Sequence, residues 1–362
     1  MSFDYAGRLQ RLQRSMGESD VDVTILSVGA DLPYFAGYDA MPSERLTVLV
    51  VPVGGEPVLF VPLLEAPQVE PGVFETRSWT ETDDPVSMAT SVVSTPGRVA
   101  VGDHMWSVFL TRFQKEWTGA EWIPASELTS SLRLRKEPEE IDLLRQAAHG
   151  VDRAMGRIPA DVAFAGRTEK DIARDLAELT IEEGHDSADF TIVASGPNGA
   201  SPHHHAGGRV IEPGDLVVCD FGGRIGGYCS DSTRTFAVGE PSEEQREVHQ
   251  VVLEANEAGR RAARPGVRCQ DVDTAARGVI EHAGHGEHFI HRTGHGIGLE
   301  VHEHPYIVKG NETILEPGMA FSVEPGIYLP ERFGVRIEDI VVCIDDGVES
   351  LNSSSRDLII VG

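Results

Sequence analysis

A chain of 362 residues exceeds what one ordinary hydrophobic core organises, so two domains are expected, each able to bury a stable interior. With 31 basic against 58 acidic side chains the net charge is −27, which repels phosphate backbones and anionic lipids and sets nucleic acid and membrane surfaces aside as partners. No run approaches the roughly 18 apolar residues of a membrane helix. The start MSFDYAGRLQRLQRSM lacks the basic, apolar and small-residue order of a secretory signal, so a cytoplasmic location is expected. Cys219, Cys229, Cys269 and Cys343 show no CxxC spacing and read as buried thiols of a reducing compartment.

Residues 1–132 alternate helix and strand signals and read as an α/β domain. An amphipathic start spans 3–17, and β-branched runs follow at 21–28, 46–53, 58–61 and 99–102, with a helix expected to open at Asp103. The polar stretch 133–138 marks the boundary. Pro138 suits the first turn of a helix in which Ile141, Leu144, Ala148, Val151 and Met155 recur at helical spacing. The second domain is taken as 133–362.

Within it two segments match in order. Gly166 precedes Asp171 and Ile172 by the same offsets as Gly266 precedes Asp271 and Val272. Glu212-Pro213-Gly214 then leads through LVVC to Asp220, as Glu316-Pro317-Gly318 leads through AFSV to Glu324. Each half is expected to send one acid into the middle from an equivalent strand. In DLVVCDFGGRIGGYCSDSTRTF the strand is expected to end at Asp220, turn at Gly226-Gly227 and return through Asp231. In AFSVEPGIYLPERFGVRIEDIVV the outgoing acid is Glu324 and the returning one Glu338, with Asp339 facing the other way because strand side chains alternate. Four acids converging in an interior require cations. TGHGIGLEVHEHP offers His295 between glycines as a nitrogen ligand and places His302 near it. SGPNGASPHHHAGG places three histidines on a loop, for which a solvated surface is the alternative reading.

The segments GDLVVCDFGG, CSDSTRTF, TGHGIGLEVHE, SVEPGIY and GVRIEDIVV resemble the metallopeptidase family with the pita-bread fold, which includes Xaa-Pro aminopeptidases, prolidases and methionine aminopeptidases. The resemblance implies an α+β protein: a pseudo-two-fold C-terminal catalytic domain preceded by a smaller α/β domain of the creatinase and prolidase type. It implies two divalent metal ions held by Asp220, Asp231, His295, Glu324 and Glu338, with Asp231 and Glu338 bridging. Hard oxygen donors, one imidazole and no thiolate favour Mn²⁺, with Co²⁺ or Zn²⁺ as alternatives. It further implies Glu324 as proton acceptor, His203 and His302 as substrate-contacting histidines, and Arg336 as a partner that orients the bridging carboxylates. His204 and His205 are bystanders on this reading. A homodimer acting on proline-containing dipeptides or short peptides follows from the same resemblance.

The upstream domain favours the proline-specific branch. Many prolidases carry an arginine just after the HExP segment, where this chain has Tyr306; the loop GYDAMPSERLTV offers Asp39 and Arg45 for the termini of a dipeptide, in its own chain or a dimer partner's, with a solvated charged loop as the alternative reading. Dipeptidase is therefore preferred over an Xaa-Pro aminopeptidase of longer peptides. A metal-free enzyme like creatinase, or a catalytically inactive interaction protein, would have no reason to retain all five ligands.

Overall fold

The computed structural model describes residues 3–362, in two compact units, Met1–Arg133 and Leu134–Gly362. In the N-terminal unit, α1 (Tyr5–Glu18) is capped by Asp4, whose carboxylate accepts from the Gly7 N–H at 2.9 Å, and it buries Leu9, Leu12 and Met16. The chain continues through β1 (Val23–Leu26), α2 (Asp31–Ala36), β2 (Val48–Pro52), β3 (Val58–Pro62) and β4 (Glu75–Trp79). It closes with α3 (Pro85–Thr90), β5 (Arg98–Val101), α4 (Ser107–Glu116), β6 (Glu121–Pro124) and α5 (Ser126–Leu134). The strands form one mixed sheet in the order β4-β3-β2-β1-β5-β6, antiparallel at β1·β2 and β2·β3 and parallel elsewhere. The helix expected from Asp103 starts four residues later, at Ser107. The Asp103 carboxylate is spent on a distant partner, accepting from the N–H of Ser126 at 3.1 Å where α5 begins.

The C-terminal unit opens with α6 (Pro138–Asp161), started by Pro138 and a reciprocal Glu137–Glu140 cap. Then come α7 (Glu169–Glu182), β7 (Ser187–Ser195), β8 (Leu216–Ile225), β9 (Tyr228–Cys229), β10 (Ser232–Val238), α8 (Glu243–Ala262) and α9 (Cys269–His282). The last stretch holds β11 (Gly294–Gly296), β12 (Glu303–Ile307), β13 (Ala320–Val323), β14 (Gly326–Leu329), β15 (Phe333–Arg336), β16 (Asp339–Ile344), β17 (Gly347–Ser350) and β18 (Ile359–Val361). Two five-stranded sheets result. One runs β18-β10-β8-β7 with β9 on β8, the other β12-β11-β13-β16-β17, and β14·β15 stands apart as a hairpin.

The repeated sequence is a repeated structure. The N–H of Gly166 donates to Ile211 O and that of Gly266 to Leu315 O, both at 2.9 Å; Gly214 donates to Val238 O (2.7 Å) and Gly318 to Cys343 O (2.9 Å). Gly214 and Gly318 have φ of +96° and +90°, a left-handed backbone that glycine adopts without steric cost. Three expected details differ. β8 runs past Asp220 to Ile225 before the Gly226-Gly227 turn, and Asp231 precedes β10 with Thr233, not Asp231, opposite Asp220. In the second half β13 stops at Val323 because Pro325, which has no N–H, cannot continue the ladder beyond Glu324.

The two sheets are joined at their centre by Arg234 of β10 and Asp339 of β16. Asp339 points away from its neighbour Glu338, as strand alternation requires, and is fully buried. Burial alone would raise its pKa, but Arg234 (2.8 Å) and Arg356 (2.6 Å) hold it below the ordinary carboxylate range. Arg234 also donates to the main-chain oxygens of Glu338 and Ser355. Removing one partner strands buried charge, so Asp339→Ala is expected to destabilise the C-terminal unit by about 3–5 kcal/mol. Urea unfolding followed by far-UV circular dichroism measures this, since all four tryptophans lie in the N-terminal unit.

Candidate metal centre

Strands and the residues that flank them deliver the candidate ligands to one place. Asp220 sits within β8, Asp231 immediately before β10, His295 in β11, Glu324 immediately after β13 and Glu338 immediately before β16. His295 Nε2 lies 3.3 Å from Glu324 Oε1, 3.6 Å from Asp231 Oδ2 and 3.9 Å from Glu338 Oε1. Ligand atoms of Asp220, Asp231 and Glu338 fall within 4.8 Å of one another, and so do those of His295, Glu324 and Glu338. Glu338 is common to both groups. A third group of the same size joins Asp231, His295 and His302, so His302 stands closer to ligand distance than the sequence led one to expect.

Close backbone packing explains the glycines around His295. A Cβ on Gly294 would lie 1.8 Å from Ser322 O, and one on Gly296 would lie 2.1 Å from His304 O. The ring is oriented by its Nδ1–H, which donates to the Gly296 carbonyl at 3.1 Å, so Nε2 turns its lone pair toward the carboxylates. Burial, helped by the nearby His302, keeps the imidazole pKa well below 6.5 and the ring neutral.

Burial raises the pKa of Asp231 and Glu338 well above the usual range, and the other carboxylates add to it. Burial also lifts Glu324 to about 7, against the opposing pull of Arg336. Asp220 Oδ1, Asp231 Oδ1 and Glu338 Oε1 are buried without a hydrogen-bond partner among the described residues. Unpaired interior oxygens of this kind are costly. Their convergence on a neutral imidazole fits a pair of divalent cations, which would satisfy all three.

Arg336 is buried, so it is no surface ion pair, but its direct partner differs from the expected bridging carboxylates. Its guanidinium donates to Asp220 Oδ2 (2.6 Å), Thr233 Oγ1 (3.1 Å) and the Tyr328 hydroxyl (2.9 Å). It reaches Glu338 only through Thr233, whose hydroxyl donates to Glu338 Oε2 at 2.7 Å. Tyr328 in turn is 2.8 Å from His291 Nε2, and His291 Nδ1 is 2.7 Å from the Arg292 carbonyl. Spacing along β15 could not reveal the partner, because Asp220 lies 116 positions away.

The centre forms one wall of a cavity of about 700 Å³, whose lining also includes His203, His302, Arg292, Phe190 and Ile192. The ring centroids of His302 and His295 are 4.1 Å apart. His203 faces the cavity, whereas His204 turns away to Glu169 Oε2 at 2.7 Å. Glu169 is fully buried and gathers the loop that carries His203, accepting from Ser195 N, Asn198 Nδ2 and Gly207 N as well. Nothing in the loop's own sequence signalled this acid, which lies more than thirty residues earlier. Tyr306 does not line the cavity; it pairs with His295 across β11·β12 and packs its ring 4.3 Å from the Arg292 guanidinium carbon. In the N-terminal unit Asp39 is exposed, and Arg45 is paired through Nε with Glu81 (2.8 Å) and through Nη1 with Glu44 (2.6 Å).

The profile of metallopeptidase family M24 matches residues 142–345, which contain every side chain of this centre, and that of the creatinase/prolidase N-terminal domain matches residues 8–135. The chain belongs to metallopeptidase family M24. Among M24 relatives it is similar to the probable dipeptidase PepE of Mycobacterium tuberculosis, 42% identical over 99% of this chain and 96% of that protein. It is also similar to the Xaa-Pro dipeptidase of Lactobacillus helveticus, 38% identical over 98% of each. The crystal structure of a recombinant prolidase from Thermococcus sibiricus superposes with a TM-score of 0.95 at 36% identity, covering 100% of both chains.

The raised carboxyl pKa values make a prediction for this M24 protein without its metals. Between about pH 4.5 and about pH 7 the unfolded chain ionises Glu324 while the folded chain keeps it protonated. The unfolded state then binds fewer protons, so stability falls as pH rises through that window, and Asp231 and Glu338 act in the same direction. Chelator-treated protein is expected to melt at progressively lower temperature across this range, and added Mn²⁺ to raise the melting temperature most at its neutral end. Differential scanning calorimetry over that range measures both trends.

Proposed function

We propose that the protein is an Xaa-Pro dipeptidase working with two divalent cations, Mn²⁺ first among them and Co²⁺ or Zn²⁺ next. The observation that carries this is the set of three unpartnered buried oxygens, from Asp220, Asp231 and Glu338, facing the neutral imidazole of His295 on the wall of a cavity. Oxygen donors, one nitrogen and no thiolate favour a hard or borderline ion. The full-length likeness to proteins named Xaa-Pro dipeptidase supports the substrate class. A homodimer belongs to the same reading by family resemblance. A cytoplasmic location is supported by four free, buried cysteines, and no helix among the described residues is long and apolar enough to cross a membrane.

Two ions bound in such a ligand set supply Lewis acidity, making water a stronger nucleophile near neutral pH and polarising a carbonyl. The chain's own groups do the rest. Asp220, Asp231, His295, Glu324 and Glu338 would hold the ions, with Asp231 and Glu338 serving both on the family resemblance. Arg336 keeps Asp220 in place and, through Thr233, steadies Glu338. Glu324 has the most exposed side chain of the five, 13% against 10% or less, so it is the carboxylate best placed to take a proton from the nucleophile and return it to the leaving nitrogen. His203 and His302, on the cavity wall, offer ring N–H groups to the scissile carbonyl as it gains charge. A bond to proline is a tertiary amide without an N–H, and polarisation of its carbonyl needs none.

Asp231→Asn is expected to abolish peptidase activity and to lower the metal content from about two ions per chain while leaving the circular dichroism spectrum unchanged; full activity in that variant would refute the site. His203→Ala and His302→Ala are expected to lower kcat by about 10²–10³-fold with metal content retained, as steady-state kinetics with elemental analysis can show. The chain-length assignment stands on the purified enzyme cleaving Ala-Pro faster than Ala-Pro-Ala. The opposite order makes it an Xaa-Pro aminopeptidase of longer peptides.

A further inference from the structure

A dipeptide carries its own carboxylate one residue beyond the scissile bond, and a strongly acidic cleft must provide a cation for it. Two arginines line the cavity among the described residues. Arg336 is buried and its guanidinium is committed to Asp220, Thr233 and Tyr328. Arg292 differs in every respect: it is half-buried, and its guanidinium has no hydrogen-bond or ion-pair partner among the described residues. In a chain with 58 acidic side chains against 31 basic ones, an unpaired arginine beside a carboxylate cluster is an anomaly that calls for a ligand.

Resting on the dipeptidase reading, we propose that Arg292 is the anchor for the C-terminal carboxylate of the substrate, presented from the face of Tyr306. The ring lies 4.3 Å from the guanidinium carbon, which leaves the edge N–H groups free for the two-pronged contact that a carboxylate accepts. Tyr306 stands directly opposite His295 in the β11·β12 register, so the cation is carried on the His295 side of the metal centre. The Arg292 backbone is fixed as well. Its carbonyl accepts from His291, which is held by Tyr328, which is held by Arg336. The residue that displaces an arginine from the position after HExP thus supports an arginine supplied by the segment just before β11. Arg45 is a poorer anchor, since Glu44 and Glu81 already occupy its Nη1 and Nε.

The test compares Ala-Pro with Ala-prolinamide, which lacks the carboxylate, on the metal-loaded enzyme. Wild type is expected to prefer the acid, and Arg292→Ala to lose about 10–100-fold in kcat/KM on Ala-Pro, mostly through KM, while losing far less on the amide. Arg292→Lys keeps a charge and should recover part of the preference. Calorimetric binding of L-proline against prolinamide supplies a readout independent of turnover, and Arg292→Ala should erase the preference for proline. Equal losses on acid and amide, or collapse of the preference in Arg45→Ala rather than in Arg292→Ala, overturn the proposal. Failure of wild type to cleave Ala-Pro would instead bring down the dipeptidase reading, and the proline titration would still decide whether Arg292 binds a carboxylate.

Discussion

The structure of the C-terminal unit depends on holding four largely buried carboxylates together on one wall of a cavity. Like charges about 4 Å apart repel by roughly 4 kcal/mol even at an effective dielectric near 20, and the protein offers them little relief. Arg336 answers Asp220 and Thr233 answers one oxygen of Glu338, but three other oxygens stay unpaired. Such a cluster survives only if the backbone that carries it cannot relax apart. Apolar cores built around Phe164, Phe221 and Phe236 on the first half and Phe321 and Val341 on the second supply that rigidity. The buried Arg234–Asp339 pair, at its heart, fixes the separation between the sheets from the side facing away from the acids.

Strand alternation lets one short segment serve both tasks. Glu338 points into the centre while Asp339, the next residue, points out to Arg234 and Arg356, and the two carboxylates are driven in opposite directions by their surroundings. The same burial acts on both. What differs is the company: neighbouring carboxylates push Glu338 further up, whereas Arg234 and Arg356 more than offset burial at Asp339, and that contrast separates a structural acid from a chemical one.

How much of this was legible in sequence followed from how local each cause is. The five candidate ligands could be read because alternation, glycine flanks and the matched Glu-Pro-Gly entries are short-range patterns. The opposite facing of Asp339 was readable for the same reason. Pro138 opened its helix where its backbone chemistry required. Where a side chain answers to something far along the chain, local reading failed. Asp103 reads as the start of its own helix but caps that of α5, 23 residues on. Arg336, expected to orient the bridging carboxylates Asp231 and Glu338, belongs first to Asp220. Tyr306 drew notice for the arginine it replaces, not for Arg292, which strand pairing brings against it. The exposed edge strand β4, ETRSW, carries charged residues and little periodicity, so nothing marked it in advance.

The two halves agree in their glycines, their turn hydrogen bonds and their acids, yet they differ at one register position. His295 lies beside Ser322, two residues before Glu324, and the matching place beside Val218, two residues before Asp220, holds Ala194. A repeat of about 100 residues relates the two halves. Had such a half once paired with an identical copy, every side chain would have appeared twice, and the ring of acids would have been strictly symmetric. One imidazole on one side only is a feature no homodimer of halves can possess. Only within a single chain can the two sides of the centre carry different chemistry.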